Sequence, residues 1–155
     1  MLLKLHKLNL PEYTFQFKTE GKPAIYDIIR KKYIVLTPEE WVRQNFIRYL
    51  VEDRKYPKSR IKLEHNIKVG NVSRRCDAVF FSKNMNPEIL MEFKAPEIPI
   101  KTKTIFQGDV YNIELKVSLI VISNGLEHLI LQPDYINGEF TQLNDIPIYS
   151  GKISF

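Results

Sequence analysis

The sequence has few of the residues that cross-link a chain or allow unusual backbone turns. Among its 155 residues there are one cysteine, one tryptophan and six glycines. A single thiol, Cys76, excludes an internal disulfide framework and any zinc site built from several cysteines, which is typical of a reducing compartment. Its apolar runs are shorter than the ~18 residues that a membrane-spanning helix needs. We therefore expect Cys76 to be a small buried side chain.

The first residues also lack the features of an export signal. The segment MLLKLHKLNLP is interrupted by Lys4, His6 and Lys7. It contains neither a continuous apolar stretch nor a small-residue cleavage site. We therefore expect a soluble cytoplasmic protein that has no membrane partner.

Composition and charge are those of a globular domain. Hydrophobic residues make up 44% of the chain and charged residues 26%, which is enough material for one core. The formal net charge of +5 makes nucleic acid a candidate partner. Because 23 basic residues stand against 18 acidic ones, the surface is mixed, and charge alone supports that partner only weakly.

Hydropathy patterns predict an α/β fold in a single domain, with a central mixed β-sheet flanked by helices. An N-terminal β extension precedes the sheet, because Tyr13, Phe15 and Phe17 alternate before a Gly-Lys-Pro turn and a second apolar run. The expected parts of the domain are the extension (1–35), the core (36–125) and C-terminal strands (126–155).

Two segments carry helix signatures. In TPEEWVRQNFIRYLVEDRKY, Thr37 is suited to be the N-cap, Pro38 to occupy the first helical position and Glu40 to close a capping box. A second helix is expected from residue 102 to about residue 116. The apolar stripe of the first helix consists of Val42, Phe46, Tyr49 and Leu50.

Period-two alternation and short apolar runs predict the strands of the sheet. The run VSLIVISNG is apolar almost throughout, as expected of a strand that is buried on both faces. HLILQ and GEFTQL are suited to pair as a terminal hairpin. The other predicted strands are IKLEHNIKV (61–69), RRCDAVFF (74–81) and EILMEFK (88–94).

The predicted hairpin between residues 75 and 94 contains two carboxylates, Asp77 and Glu92, that are candidates for a functional site. Alternation places Glu92 and Lys94 on the same face of an otherwise apolar strand. If the turn is centred between Asn84 and Met85, Asp77 lies opposite Glu92, with Cβ atoms roughly 4.5–5.5 Å apart. Like charges so placed are destabilising, so a positive group is expected between them.

The positive group has two possible identities, Lys94 or a divalent cation. Mg²⁺ favours one or two carboxylates together with water and phosphate oxygens. A metal held by Asp77 and Glu92 would activate water against a phosphodiester, while a lysine orients that water. In the alternative interpretation, both carboxylates form a surface ladder with Arg75 and Lys94 that contributes under ~1 kcal/mol.

Five segments in order extend this pattern: LTPEEWVRQNFIRYL, RRCDAVFF, MEFKAP, FQGDVYN and VISNG. Together they resemble the N-terminal nuclease domain of type I restriction enzyme restriction subunits, and more closely small stand-alone bacterial proteins similar to it, within the PD-(D/E)XK nuclease superfamily. The similarity covers roughly residues 36–125. It implies a restriction-endonuclease-like fold and hydrolysis of DNA that depends on Mg²⁺ or Mn²⁺.

The resemblance also implies roles for individual residues. By position, Asp77 and Glu92 are the metal ligands and Lys94 is the catalytic lysine. The family's helical glutamine and tyrosine correspond to Gln107 and Tyr111, whose spacing places them on one helical face. There they could contact DNA, brace the active-site strand or pack as a partly buried polar pair.

The family's remaining element, a helical glutamate, matches either Glu39 or Glu40. Glu39 falls close to the apolar stripe of the first helix, whereas Glu40 points elsewhere and has the capping role. We favour Glu39 as a site residue. Otherwise its charge simply stabilises the first turn through the helix dipole.

The sequence departs from the family pattern in two respects. Cys76 stands where the family usually has proline, and the chain has no G-x-x-x-x-G-K-[ST] phosphate loop. We therefore expect no ATP-driven translocation by this chain alone. The alternative function is a non-catalytic nucleic-acid-binding or assembly module that works with a motor or specificity protein, and a third is a purely structural domain.

Other polar residues carry weaker signals. Glu64 could approach the carboxylates, but a solvated strand charge is the preferred interpretation. The histidines have no ligand spacing, and His65 alternates with apolar residues, so partial burial is expected. Two basic groups would either contact phosphates or keep the domain soluble: residues 30–32, and the set Arg54, Lys55, Lys58 and Arg60.

Overall fold

The structure is a computed structural model that describes residues 4–69, 71–101 and 116–153. Gln107 and Tyr111, together with the second predicted helix, lie outside these ranges. Within them, no helix is both long enough and apolar enough to cross a membrane.

The described residues form a three-stranded antiparallel sheet, a six-stranded mixed sheet and one α-helix. The predicted α/β class and the mixed sheet are confirmed, although only one flanking helix lies in this part of the chain. The elements are β1 (Phe17–Lys18), β2 (Ala24–Asp27), β3 (Lys32–Val35), α1 (Pro38–Arg48), β4 (Ile61–Val69), β5 (Val72–Phe81), β6 (Pro87–Phe93), β7 (Leu119–Ser123), β8 (His128–Asp134) and β9 (Glu139–Leu143).

The N-terminal sheet has the strand order β1-β2-β3. The predicted hairpin is therefore present, and a third strand extends it. The turn between β2 and β3 forms because the Asp27 carboxylate accepts hydrogen bonds from the backbone N–H groups of Ile29 and Arg30, at 2.7 and 2.9 Å. Lys31 then adopts a left-handed conformation, with φ of 54°, which reverses the chain.

The large sheet has the strand order β4-β5-β6-β7-β8-β9. Only the β6–β7 pair is parallel, and the other pairs are antiparallel. All five residues of β7 are buried, as predicted for a strand covered on both faces. The terminal hairpin of β8 and β9 is confirmed as well.

Helix α1 begins as its sequence predicts. Thr37 is the N-cap, and its hydroxyl accepts a hydrogen bond from the Glu40 N–H at 3.0 Å. Val42, Phe46 and Leu50 are buried in the core. The predicted capping box is wrong in one half, because the Glu40 carboxylate turns into the protein and bonds other side chains.

The Glu40 carboxylate belongs to a buried network that the sequence analysis did not anticipate. Asp27 is 0% exposed, Glu40 4% and Gln44 2%. The Gln44 amide donates to Asp27 and to Glu40, at 2.9 and 2.8 Å. Arg43, also buried, forms an ion pair with Glu40 at 2.5 Å. Because these side chains are buried, they form hydrogen bonds and ion pairs with one another.

Arg30 joins the N-terminal sheet to this network. Its guanidinium contacts Asp27 at 2.5 Å and Glu40 at 2.6 Å. The two roles predicted for this arginine were phosphate contact and solubility. Instead, Arg30 connects the β2–β3 turn to α1 through ion pairs. Its neighbours Lys31 and Lys32 are exposed.

Two of the four residues in the second basic set, Arg54 and Arg60, make contacts within the protein. Arg54 binds Tyr49 and Asp145, which attaches the C-terminal segment to the end of the helix. Arg60 lies over the rings of Phe80 and Tyr149, at 5.2 and 5.1 Å from their centroids. Both guanidinium groups are thus engaged within the protein.

Asp27→Asn should destabilise the protein strongly at neutral pH. Burial alone would raise the pKa of Asp27, but hydrogen bonds from Arg30 and Gln44 outweigh it and lower the pKa below its usual value. Its stabilising contribution is therefore present above pH ~4 and is lost as the pH falls through the folded-state pKa.

We expect a loss of about 3–5 kcal/mol in the free energy of unfolding at pH 7, as for other broken buried ion pairs. Urea unfolding at pH 7 and pH 3 measures the free energy of unfolding. The difference in this free energy between Asp27→Asn and wild type should be smaller at pH 3. Glu139→Gln, at an exposed position of β9, is the matched control. Equal stability of Asp27→Asn and the control would contradict the role of the network.

Candidate active site

Three pairs between β5 and β6 have the register predicted from a turn centred between Asn84 and Met85. The pairing ends at Ala78 with Met91, one position before Asp77 and Glu92, which the same register would place opposite each other. A slip of one residue would have placed them on opposite faces of the sheet. The observed pairs are Ala78 with Met91, Val79 with Leu90 and Phe80 with Ile89.

The register changes only beside the turn. Phe81 pairs with Pro87 and not with Glu88, as the assumed register requires, because an irregularity lies between Phe80 and Phe81. Met85 in the turn has a φ of 63°. The irregularity absorbs one residue near the turn and leaves the pairs from Phe80 with Ile89 to Ala78 with Met91 in the expected register.

The Asp77 carboxylate is held against β6. It accepts a hydrogen bond from the Phe93 N–H at 2.7 Å. Burial, and after it the charge of Asp77, raise the pKa of Glu92 to about 8. The Lys94 ammonium acts in the opposite direction and lowers that pKa. Two carboxylates on neighbouring strands are thus crowded enough to favour a shared proton or cation.

Glu39 takes part in the same electrostatic group. Burial and the Asp77 charge raise its pKa, whereas Arg43 and Lys94 lower it. Glu39 also contributes to the raised pKa of Glu92. Of the two glutamates considered at the start of α1, Glu39 therefore lies on the side of the carboxylates. Its catalytic role stays a prediction.

Lys94 is positioned by the parallel strand next to its own. Its backbone N–H donates to the Ser123 carbonyl at 2.9 Å, which extends the β6–β7 pairing by one residue. Its ammonium influences both Glu39 and Glu92. Four of the six predicted site residues are therefore near one another, and the other two, Gln107 and Tyr111, lie outside the described residues.

The donor chemistry of the pair fits a hard divalent cation. Carboxylate oxygens are the ligands that Mg²⁺ prefers, and a cation would relieve the repulsion that raises the pKa of Glu92. Among the described residues, no group of three or more His, Cys, Asp or Glu side chains is arranged to hold a metal. Asp77 and Glu92 would therefore supply only part of a coordination shell, and water or substrate oxygens would fill the rest.

Glu64 lies on β4, beside the position of Asp77 on the neighbouring strand β5. Its side chain is 38% exposed, yet it is not simply solvated. The carboxylate pairs with Arg30 at 3.3 Å, with Arg43 at 3.6 Å and with Arg75 at 2.7 Å. Through Arg43 it is connected to the site, because Nη1 of that arginine donates to the Asp77 carbonyl at 3.4 Å.

His128 and His65 make contacts with residues other than Asp77 and Glu92. His128 Nε2 donates a hydrogen bond to the Asn9 carbonyl at 2.8 Å, and Nδ1 shares a hydrogen bond with the Ser123 hydroxyl at 2.7 Å. His65 is half-buried with its ring edge-on to Phe81, at 5.3 Å. The prediction of partial burial for His65 is confirmed, and both contacts are structural.

Comparison with known proteins identifies relatives by sequence and by structure. The family model described as the type I restriction enzyme R protein N terminus matches residues 38–147, which is more than half of the chain. A search of curated protein sequences found none with significant similarity to this chain.

One similar solved structure is a fragment assigned to an HsdR subunit of a type I restriction enzyme from Vibrio vulnificus YJ016. The TM-score is 0.51 and the sequence identity is 19%. The similarity covers 72% of this chain but only 24% of that one. At this level of identity it shows a shared fold and nothing more.

Glu92→Gln should stabilise the metal-free protein at alkaline pH. A raised pKa means that the folded state binds the Glu92 proton more tightly than the unfolded chain does. Stability is therefore lost as the pH rises from the usual value of 4.5 towards the folded value of about 8. Glutamine cannot ionise, so the variant avoids this loss.

Urea unfolding in EDTA at pH 5 and pH 9 provides the measurement. The variant should gain stability over wild type at pH 9, and the gain should be small at pH 5. Glu97→Gln, at an exposed position, should behave as wild type at both. A variant less stable than wild type at pH 9 would show that the carboxylates are not crowded.

Proposed function

Because the chain belongs to the family of type I restriction enzyme R protein N termini, we propose that it hydrolyses DNA phosphodiester bonds with Mg²⁺ or Mn²⁺. The observation that carries the proposal is the crowding of Asp77 and Glu92 on adjacent strands, beside Lys94 and Glu39. We further infer a restriction-endonuclease-like fold within the PD-(D/E)XK superfamily. The order of the residues along the chain supports that inference.

In this mechanism Asp77 and Glu92 hold the metal. When bound, the metal supplies an activated water and stabilises negative charge on the phosphodiester. Glu92 must give up its proton to act as a ligand, which its raised pKa makes costly at neutral pH without a cation. The Phe93 N–H, which donates to the Asp77 carboxylate, restricts the orientation of that side chain.

Lys94 and Glu39 act on the reacting groups. The Lys94 ammonium orients the attacking water or stabilises the charge that develops on the phosphate. Glu39, whose pKa is raised, is suited to hold a proton near the leaving group or to position a water. Gln107 and Tyr111 are proposed to support the site or to contact the DNA strand.

We propose DNA as the substrate and a motor or specificity protein as a partner. The chain spans only 24% of the HsdR fragment with which it was compared, and it has no phosphate-loop motif. In this proposal, such a partner carries out translocation along DNA and recognition of a target sequence.

Substitution of the site residues should abolish cleavage without unfolding the protein. We expect Asp77→Asn and Lys94→Ala each to reduce Mg²⁺-dependent nicking of plasmid DNA at least about 100-fold. Lys83→Ala, in the exposed turn between β5 and β6, removes a matched charge and should cut at the wild-type rate.

Circular dichroism confirms folding of each variant. Nicking by wild type that vanishes in EDTA and in Asp77→Asn supports the proposed hydrolase. Wild-type activity in either site variant would remove these residues from the mechanism. Absence of cleavage by wild-type protein with both Mg²⁺ and Mn²⁺, on plasmid and on single-stranded DNA, would overturn the proposal.

A second candidate is a non-catalytic DNA-binding or assembly module. It is favoured by the absence of a three-membered ligand group among the described residues. This module would bind DNA in EDTA with an affinity that falls as salt rises, and it would not cut. A purely structural domain would do neither.

A further inference from the structure

Glu64 has an unusual backbone conformation at the point where β4 passes Asp77. Its φ of 50° lies in the left-handed region. Residues other than glycine, asparagine and aspartate rarely adopt that region, because Cβ then approaches the neighbouring carbonyl. In the middle of a nine-residue strand this conformation has no turn to serve.

The conformation coincides with a gap in the β4–β5 pairing. Leu63 pairs with Ala78 and His65 pairs with Cys76, so the register is the same on both sides. At the position between them, Glu64 and Asp77 do not pair. The chain contains no extra residue here, and the gap is a local rotation of the backbone and not a shift of the strand.

The gap leaves the Asp77 main chain available to a side chain. Its carbonyl accepts a hydrogen bond from Arg43 Nη1 at 3.4 Å. The same guanidinium is held by Glu40 at 2.5 Å and contacts Glu64 at 3.6 Å. Arg43 is buried, so these contacts restrict its position. The backbone on one side of Asp77 is thus attached to α1 instead of to β4.

On its other side, the Asp77 carboxylate takes the place of a strand bond. The β5–β6 pairs end at Ala78 with Met91, and the next N–H available on β6, that of Phe93, donates to Asp77 Oδ2 at 2.7 Å. Asp77 therefore leaves regular pairing on both sides at once. Its carboxylate reaches Glu92 because of this double departure.

We propose that the left-handed conformation of Glu64 is a positioning device for Asp77. If residue 64 adopted an ordinary strand conformation, β4 would pair with the Asp77 main chain and rotate the adjacent peptide groups. The carboxylate would then move away from the Phe93 N–H and from Glu92. Glu64 is a positioning residue in this proposal, and its importance for cleavage rests on the proposed function.

Two substitutions at residue 64 separate the backbone from the side chain. Glu64→Gly accepts a positive φ without cost, whereas Glu64→Val disfavours it because valine is β-branched. Both remove the carboxylate, so any difference between them reports the backbone alone. Asn66→Val places valine at another exposed position of β4 and controls for the residue type, and Glu64→Thr serves as a second β-branched variant if Glu64→Val folds poorly.

The first readout is the backbone amide of Phe93, measured by NMR in EDTA as its chemical shift and its hydrogen-exchange rate. We expect wild type, Glu64→Gly and Asn66→Val to share a protected amide. In Glu64→Val and Glu64→Thr the amide should shift and exchange at least about ten times faster, as expected of a lost hydrogen bond. An unchanged Phe93 amide in both β-branched variants would overturn the proposal.

The second readout is Mg²⁺ affinity by calorimetry, together with the melting temperature. Glu64→Gly should bind within about 3-fold of wild type, whereas Glu64→Val should bind at least about 10-fold more weakly, a typical effect of losing a group that orients a ligand. The melting temperature of Glu64→Val should be equal to or above that of Glu64→Gly, since valine favours a regular strand. A residue with only a structural role would lose stability instead.

The two proposals fail in different ways. If wild-type protein binds no Mg²⁺ and cuts no DNA, the proposed function is wrong, while the Phe93 amide still decides whether Glu64 positions Asp77. If wild type binds Mg²⁺ and Glu64→Val binds it equally well, the positioning role of Glu64 is wrong and the proposed function stands.

Discussion

The carboxylate of Glu40 joins the N-terminal sheet to α1. Its oxygens bond Arg30 from the N-terminal sheet and Arg43 and Gln44 from its own helix. Taking a carboxylate out of water costs several kcal/mol, and this cost is offset only when charged and polar partners surround it. Arg43, which Glu40 holds in place, also donates to the Asp77 carbonyl. Glu40 therefore acts through Arg43 on the backbone of the candidate site. An architecture held in this way tolerates little change at Glu40.

The inward position of Glu40 also determines where Glu39 points. Successive residues of a helix diverge by about 100° around its axis. With Glu40 engaged in the buried network, Glu39 faces the side where the charges of Asp77 and Lys94 act on it. The N-terminal sheet thus orients a candidate catalytic side chain without contributing to the chemistry. The interaction between Arg30 and Glu40 links these two parts of the protein.

Local patterns predicted much of this arrangement. Thr37 and Pro38 mark the start of α1, and alternation marks β4 and β6. The assumed turn position reproduced the register of the pairs that lead up to Asp77 and Glu92. The buried network was not predictable in the same way. Arg30 and Glu40 are residue types that usually lie on the surface, and only tertiary contacts show that Glu40 is buried and paired with Arg30. No propensity predicts a left-handed glutamate within a strand. The second predicted helix, with Gln107 and Tyr111, lies outside the described residues.

Crowded carboxylates lower stability, and a fold without a use for them would be expected to avoid them. A surface ladder of Asp77, Glu92 and Lys94 would leave each charge in water, where the pKa of Glu92 would stay near its usual value. Instead Glu92 is largely removed from solvent and its pKa rises to about 8. A bound cation would turn the repulsion into attraction, since both oxygen pairs could then face one positive charge. The stability lost at Glu92 is thus of the kind found where a site is arranged for a ligand.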